Sequence, residues 1–229
     1  MLVALPAQAD IIQTQTFGPQ VPDYFPVLTF NEYNGNLSDL TGIVVELSLT
    51  SVGGLAQVDN ESGVVANVNV EFGTSGWLIS GGPALPSVLT SPVVPVTSVT
   101  AGSYSLGADD GDGSGVQSGG ADYDELVGGT VTNSLSGSVV SSSWADYVGP
   151  GTFDITGVIS TYLSVTGASG ISQGSTPPAV NGFVRVTYQE TGGPSGAAPE
   201  PATLVLLSSG LGSLAAWRYR RRRRSGAQG

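Results

Sequence analysis

The residues best suited to chemistry in this chain are carboxylates. Asp109-Asp110-Gly111-Asp112-Gly113 is followed shortly by Asp122-Tyr123-Asp124-Glu125. A calcium ion takes roughly six to eight hard oxygen ligands from a chain that can bend sharply. Acids interleaved with glycine supply both, which makes Asp109, Asp110, Asp112, Asp122 and Asp124 candidate calcium ligands. The spacing is not that of an EF-hand: the alternating acids, the glycine at the sixth position and the glutamate at the twelfth are missing. A solvated acidic loop is the competing reading. Carboxylates crowded in water repel by about a few tenths of a kcal/mol per pair, and a bound cation would convert that repulsion into order. Asp109 and Asp124 could also be weighed as a glycosidase pair. Such an enzyme needs two carboxyl groups ~5–10 Å apart in a cleft with sugar-stacking aromatics. Of the three tryptophans only Trp77 and Trp144 precede the tail, too few to define such a cleft, and each reads more simply as packing. Contact with a sugar through one exposed aromatic asks for less.

Composition narrows the chemistry further. The chain has no cysteine, no histidine and no lysine, which removes disulfides, thiol nucleophiles, imidazole catalysis and Schiff bases together. No enzyme activity is expected. Seventeen of the eighteen acidic residues lie between Asp10 and Ala198 with Arg185 as the only base, so this body carries a charge of about −16. Nucleic acid is excluded as a partner of such a surface, because phosphate binding needs the cations it lacks. Divalent cations are its natural counter-charge.

The other chemically distinct stretch is the tail. Pro199-Glu200-Pro201 precedes Ala202 to Trp217, sixteen residues without a charge. As a helix these span roughly 24 Å, slightly short of a ~30 Å hydrocarbon core but able to cross it. Trp217 and Tyr219 sit where amphipathic rings prefer the interface, and Arg218, Arg220, Arg221, Arg222, Arg223 and Arg224 follow at once. By the positive-inside rule these arginines hold the C-terminus in the cytoplasm and place the body outside. Gly210, Gly212 and the interspersed serines make a poor permanent anchor and offer a small-residue face for docking on another helix. A plain tail anchor is the simpler alternative.

This order of Pro-Glu-Pro, apolar helix and terminal arginine cluster resembles the PEP-CTERM sorting signal of Gram-negative bacteria. The resemblance implies recognition by an exosortase, a membrane enzyme that processes its substrates near Pro199-Glu200-Pro201. It further implies the inner membrane as an intermediate station, then the cell surface or extracellular matrix. Exopolysaccharide is the partner such a setting suggests.

The elements that carry these residues follow from the rest of the chain. Met1 to Ala9 ends in the small-x-small Ala7-Gln8-Ala9 of a secretory signal but lacks a basic start and a full apolar core, and reads as the end of a truncated signal peptide. Residues 10–190 are long enough for one β domain. Ile43 to Thr50 alternates strictly, with Ile43, Val45, Leu47 and Leu49 opposing Val44, Glu46, Ser48 and Thr50, as a strand with one wet face does. Val64 to Phe72 repeats this and is expected beside it. Val27–Phe30, Trp77–Ser80, Val93–Val99, Tyr104–Leu106, Gly137–Ser142, Thr152–Leu163 with a break at Gly157, and Gly182–Gln189 complete the strand pattern. Pro92 and Pro95 mark the segment beside them as an edge. Gly53-Gly54 supplies a reversal, Gly107 to Gly129 forms a long loop, and residues 191–198 are a flexible linker.

The body resembles the choice-of-anchor E domain of exported bacterial proteins. The matching stretches are Leu37 to Leu47, Val58-Asp59-Asn60 with Ala66 to Val70, Trp144 to Gly149 leading into Thr152 to Ile155, and Gly182 to Tyr188. The resemblance implies a shared architecture and no catalytic motif. The expected protein is therefore all-β, an antiparallel β-sandwich of about eight strands plus a single C-terminal transmembrane sorting helix. Its expected role is structural or adhesive at the cell surface. A calcium-stabilised carbohydrate-binding module is the alternative.

Overall fold

A computed structural model describes residues 10–191. The signal remnant 1–9, Pro199-Glu200-Pro201, the apolar segment 202–217 and the arginine cluster 218–224 lie outside the described residues. Asp10–Thr191 forms one compact unit. Among the described residues no helix is long and apolar enough to cross a membrane.

Eleven strands occur in chain order: β1 (Ile11–Gln20), β2 (Val27–Asn31), β3 (Leu40–Val52), β4 (Leu55–Asn60), β5 (Ala66–Ser80), β6 (Val96–Leu106), β7 (Tyr123–Val127), β8 (Thr130–Ser138), β9 (Thr152–Thr166), β10 (Ile171–Thr176) and β11 (Ala179–Glu190). They form sheets ordered β1-β11-β3-β8, β10-β4-β7 and β2-β9-β5-β6. All the strand pairs are antiparallel.

The three-stranded sheet is the continuation of the first. β11-β3-β8 and β10-β4-β7 share one order, and each strand of one leads into a strand of the other across a two-residue joint. The joints are Gly53-Gly54, Gly128-Gly129 and Pro177-Pro178. Proline withholds a ladder donor and glycine admits positive φ, so all three strands bend at the same level. Gly53 and Gly54 have φ of 67° and 82°. Backbone bonds cross this corner from Gly53 N–H to Gly129 O and from Gly128 N–H to Gly54 O, both 3.0 Å.

With each bent pair counted once, eight long strands remain. They form two sheets, β1-β10/11-β3/4-β7/8 facing β2-β9-β5-β6, the strand order of a jelly roll. The expected antiparallel sandwich is thus present. The predicted pairing of Ile43–Thr50 with Val64–Phe72 is corrected: β3 and β5 lie in facing sheets and meet through their side chains. A Cβ at Gly76 would lie 3.1 Å from Leu49 Cδ1, which shows how closely the two approach.

The bend divides the core in two. Ile43, Val45, Leu47 and Leu49 of β3 and Val180, Val184, Val186 and Tyr188 of β11 pack against Phe30, Leu78, Phe153, Ile155 and Ile159 of the facing sheet. Beyond the corner, Ala56, Val58 and Leu126 pack on Val68, Val70, Phe72 and Leu106. β5 serves both cores with one face, because Ala66, Val68, Val70, Phe72 and Leu78 share a side at period two. Ser98 Oγ–H donates to Leu49 O at 2.8 Å in the buried interior, joining the sheets between the two apolar clusters.

Other sequence expectations shift at the edges. Trp77–Ser80 belongs to the same strand as Val68–Phe72, and β9 runs through Gly157 without a break. β6 is an edge strand, in keeping with its preceding prolines. It begins only at Val96, leaving Val93 and Val94 exposed. Gly137–Ser142 is not a strand throughout: β8 ends at Ser138, and a 3-10 turn covers Ser141–Tyr147. That turn carries Tyr147 into the core, edge-on to Phe153 at 5.1 Å. It also holds half-buried Trp144, whose indole N–H donates to Val139 O at 3.0 Å.

Candidate functional site

The long loop between β6 and β7 is folded against the end of β4. Asn60 organises it from beneath. Its buried side-chain amide donates to Val64 O (2.7 Å) and to Gly107 O. Its oxygen accepts from the backbone N–H and hydroxyl of Ser62, at 3.1 and 2.6 Å. The acids on either side of Asn60 hold the loop by its backbone: Asp59 Oδ2 accepts from Gln117 N–H at 2.8 Å and Glu61 Oε1 from Gly115 N–H at 2.7 Å. Asp109 N–H donates to Ser62 O at 2.9 Å.

Within that frame the carboxylates converge. One oxygen each of Asp109, Asp110, Asp112 and Asp122 lies within 4.8 Å of the others. The loop's own amides donate to three of these carboxylates. Gly111 N–H donates to Asp109 Oδ1 (2.9 Å), Asp112 N–H to Asp110 Oδ1 (3.2 Å) and Asp110 N–H to Asp122 Oδ2 (2.8 Å). Asp122 is 1% exposed, and its Oδ1 is buried without a hydrogen-bond partner. Glycine at position 120, with φ of 84°, leaves room here: a Cβ there would meet Asp122 Oδ1 and Asp110 Oδ2.

The electrostatics agree with crowding. The Asp112 carboxyl is pushed above its ordinary range by desolvation, then by the negative charges of Asp110, Asp59, Asp122 and Asp109. Tyr104 is raised by burial and then by Asp124 and Glu125. Burial likewise raises Tyr123, a shift opposed by the hydrogen bond it accepts from Gln57 and reinforced by the one it donates to Glu125.

Four of the five acids named from sequence therefore meet, and Asp124 is not among them. It sits on β7 opposite Val58, and its Oδ1 accepts from Glu125 N–H at 2.8 Å. Sequence reasoning missed Asp59, 2% exposed and close enough to bear on Asp112. The signal was its place at the end of an alternating apolar segment, Leu55 to Val58, where a buried acid requires partners. Also missed was an open depression of about 630 Å³ lined by Glu32, Asp146, Phe153 and Asp154. Two of its acids are already engaged: Glu32 Oε2 accepts from Gly151 N–H at 3.2 Å, and Asp154 Oδ1 from the Thr29 hydroxyl at 2.7 Å.

The two ends of the sandwich differ. The acidic cluster lies where β4 ends and β10 begins. Thr191, the last described residue, is tied to Asp39 O at the start of β3, with its N–H 2.7 Å away. The cluster and the point from which the chain continues toward residue 199 are thus at opposite ends of the bent strands.

Fold and site together define an acidic jelly-roll domain whose carboxylate loop stands at the end away from its C-terminal exit. The chain beyond that exit carries its own identification: the PEP-CTERM protein-sorting motif matches residues 197–223. This motif supports an exported protein that passes through the membrane to the cell surface as an exosortase substrate. No curated protein matches the chain.

Proposed function

We propose that this chain is a structural or adhesive protein of the cell surface or extracellular matrix of a Gram-negative bacterium, associated there with exopolysaccharide or biofilm, and that its body is of the choice-of-anchor E type. The observation that carries the reading is the sorting motif at 197–223, joined to a β domain with one base, Arg185, among its described residues. That base is engaged on the sheet surface: its guanidinium bonds Glu46 at 3.2 Å and lies over the Phe183 ring at 4.8 Å. A surface of one sign stays soluble and resists self-association without bridging ions. The absence of His, Cys and Lys from the chain favours binding or scaffolding over catalysis.

The test replaces Pro199-Glu200-Pro201 by alanines in a host that makes an exosortase. The wild-type body is expected at the surface or in the matrix, and the substituted protein in the inner membrane with its tail intact. Equal distribution of the two would refute the reading.

A further inference from the structure

We propose that Asp109, Asp110, Asp112 and Asp122 form a site for a single calcium ion, which ties the two ends of the β6–β7 loop together. Crowded acids alone would not carry this. The decisive feature is Asp122, whose Oδ1 is buried and unpaired and shares the open position beside Gly120 with Asp110 Oδ2. A buried carboxylate oxygen without a partner forfeits its hydration for nothing, and a cation is the partner this position lacks. Glycine at 120 keeps the space beside Asp122 Oδ1 and Asp110 Oδ2 free of side-chain atoms.

Size and chemistry select the ion. The donors are all hard oxygens, and the chain has no cysteine or histidine to draw a softer metal. Ligands at ~2.3–2.6 Å from calcium lie at most about 4.6–5.2 Å apart across the ion, and those at ~2.0–2.1 Å from magnesium at most about 4.0–4.2 Å. The four oxygens fall within 4.8 Å of one another, so calcium fits with little movement and magnesium would require contraction. The loop's amides take Asp109 Oδ1, Asp110 Oδ1 and Asp122 Oδ2. Asp122 Oδ1 and Asp110 Oδ2, the two oxygens beside Gly120, accept none of these amide bonds, so an ion held there would not dismantle the loop. Asp59 and Glu61 act through the backbone of Gln117 and Gly115 and are positioning residues. The site stands at the end of the bent strands remote from Thr191, so it would order that end of the domain.

The test uses the full chain in nonionic detergent, stripped with a chelator and titrated with calcium chloride or magnesium chloride. One saturable calcium site is expected, in the roughly 0.1–1 mM range of extracellular modules, with Tm rising as it fills and amide exchange slowing across residues 107–122. Asp122→Asn should weaken calcium about tenfold or more while raising the metal-free Tm, because it removes a charge from a crowded cluster; a merely structural Asp122 would lower both. Asp124→Asn should bind as the wild type does. Should Asp122→Asn fail to fold, exposed Asp112→Asn decides the matter by the same loss of affinity. A Tm unmoved by about 10 mM calcium would overturn the proposal. So would ligand variants that bind normally, an Asp124→Asn loss as large as theirs, or magnesium binding as tight as calcium.

Discussion

Gly53 and Gly54 allow the corner of the bent sheet to be tested with one substitution made twice. Both have positive φ, 67° and 82°, so alanine at either must adopt a left-handed conformation at about 1–2 kcal/mol. The stiffer unfolded chain returns roughly 0.4–1 kcal/mol in each case. The surroundings differ. A Cβ at Gly53 meets nothing within 4 Å, whereas one at Gly54 would stand 2.7 Å from Pro178 N and 2.8 Å from Phe72 Cε1. Neither neighbour can give way easily, since Pro178 belongs to the adjoining bent strand and Phe72 is fully buried in the second core. Overpacking of this kind adds about 1–3 kcal/mol. Gly53→Ala should therefore be nearly neutral to mildly destabilising, and Gly54→Ala worse by about 2 kcal/mol, or roughly 4–8 °C in Tm for a domain of this size. Denaturant unfolding followed by the fluorescence of Trp77 and Trp144 measures both. Equal losses, or a larger loss at Gly53, would refute the account of the corner.

Asn60→Ala removes the side chain that bonds Val64 O, Gly107 O and Ser62. It should destabilise by about 2–4 kcal/mol, since each buried group left unpaired costs ~1–3 kcal/mol. Amide exchange in residues 107–122 should rise more than in β3, as followed by mass spectrometry. Tyr33 donates to Glu190 Oε1 at 2.8 Å, and desolvation, followed by this bond and nearby negative charge, pushes its hydroxyl from 10.0 to about 12. Because the folded value is the higher one, the contribution is fully present below pH 10 and lost as pH climbs toward 12. Tyr33→Phe should flatten that alkaline decline in denaturation curves and weaken the fold at neutral pH by stranding Glu190.

The sequence made the strands legible where one face is fully buried. Ile43–Thr50, Val27–Phe30 and Gly182–Gln189 alternate because one side meets a core and the other water. β1, β7 and β10 escaped because little of each is buried: only Phe17 in β1 and Leu126 in β7 reach below the surface. β4 escaped although Ala56, Val58, Asp59 and Asn60 are buried, because its short run ends in polar residues. Gly157 read as a strand break, and Gly73 and Gly76 fell between two segments read as separate strands, yet the latter two serve close approach. A Cβ at Gly76 would crowd Ile159 and Leu49, and one at Gly73 would strike Ser98 O. The equivalence of three two-residue joints was invisible as well, since Gly-Gly and Pro-Pro look unlike until the sheet aligns them. In the acidic loop, composition singled out five acids, of which four converge, but could not tell Asp122 from Asp124. Strand pairing at Asp124 and burial at Asp122 separate them, and both depend on contacts with β4 far away in sequence.

The fate of the tail is the most direct test of sorting. Sorting through Pro199-Glu200-Pro201 predicts that the protein recovered from the cell surface or matrix has lost residues 202–229, and with them six of its seven arginines. Intact mass spectrometry of the mature protein reads this in one measurement. A mass that ends near the Pro-Glu-Pro motif is the predicted result, and a surface protein whose mass still includes residues 202–229 would contradict it.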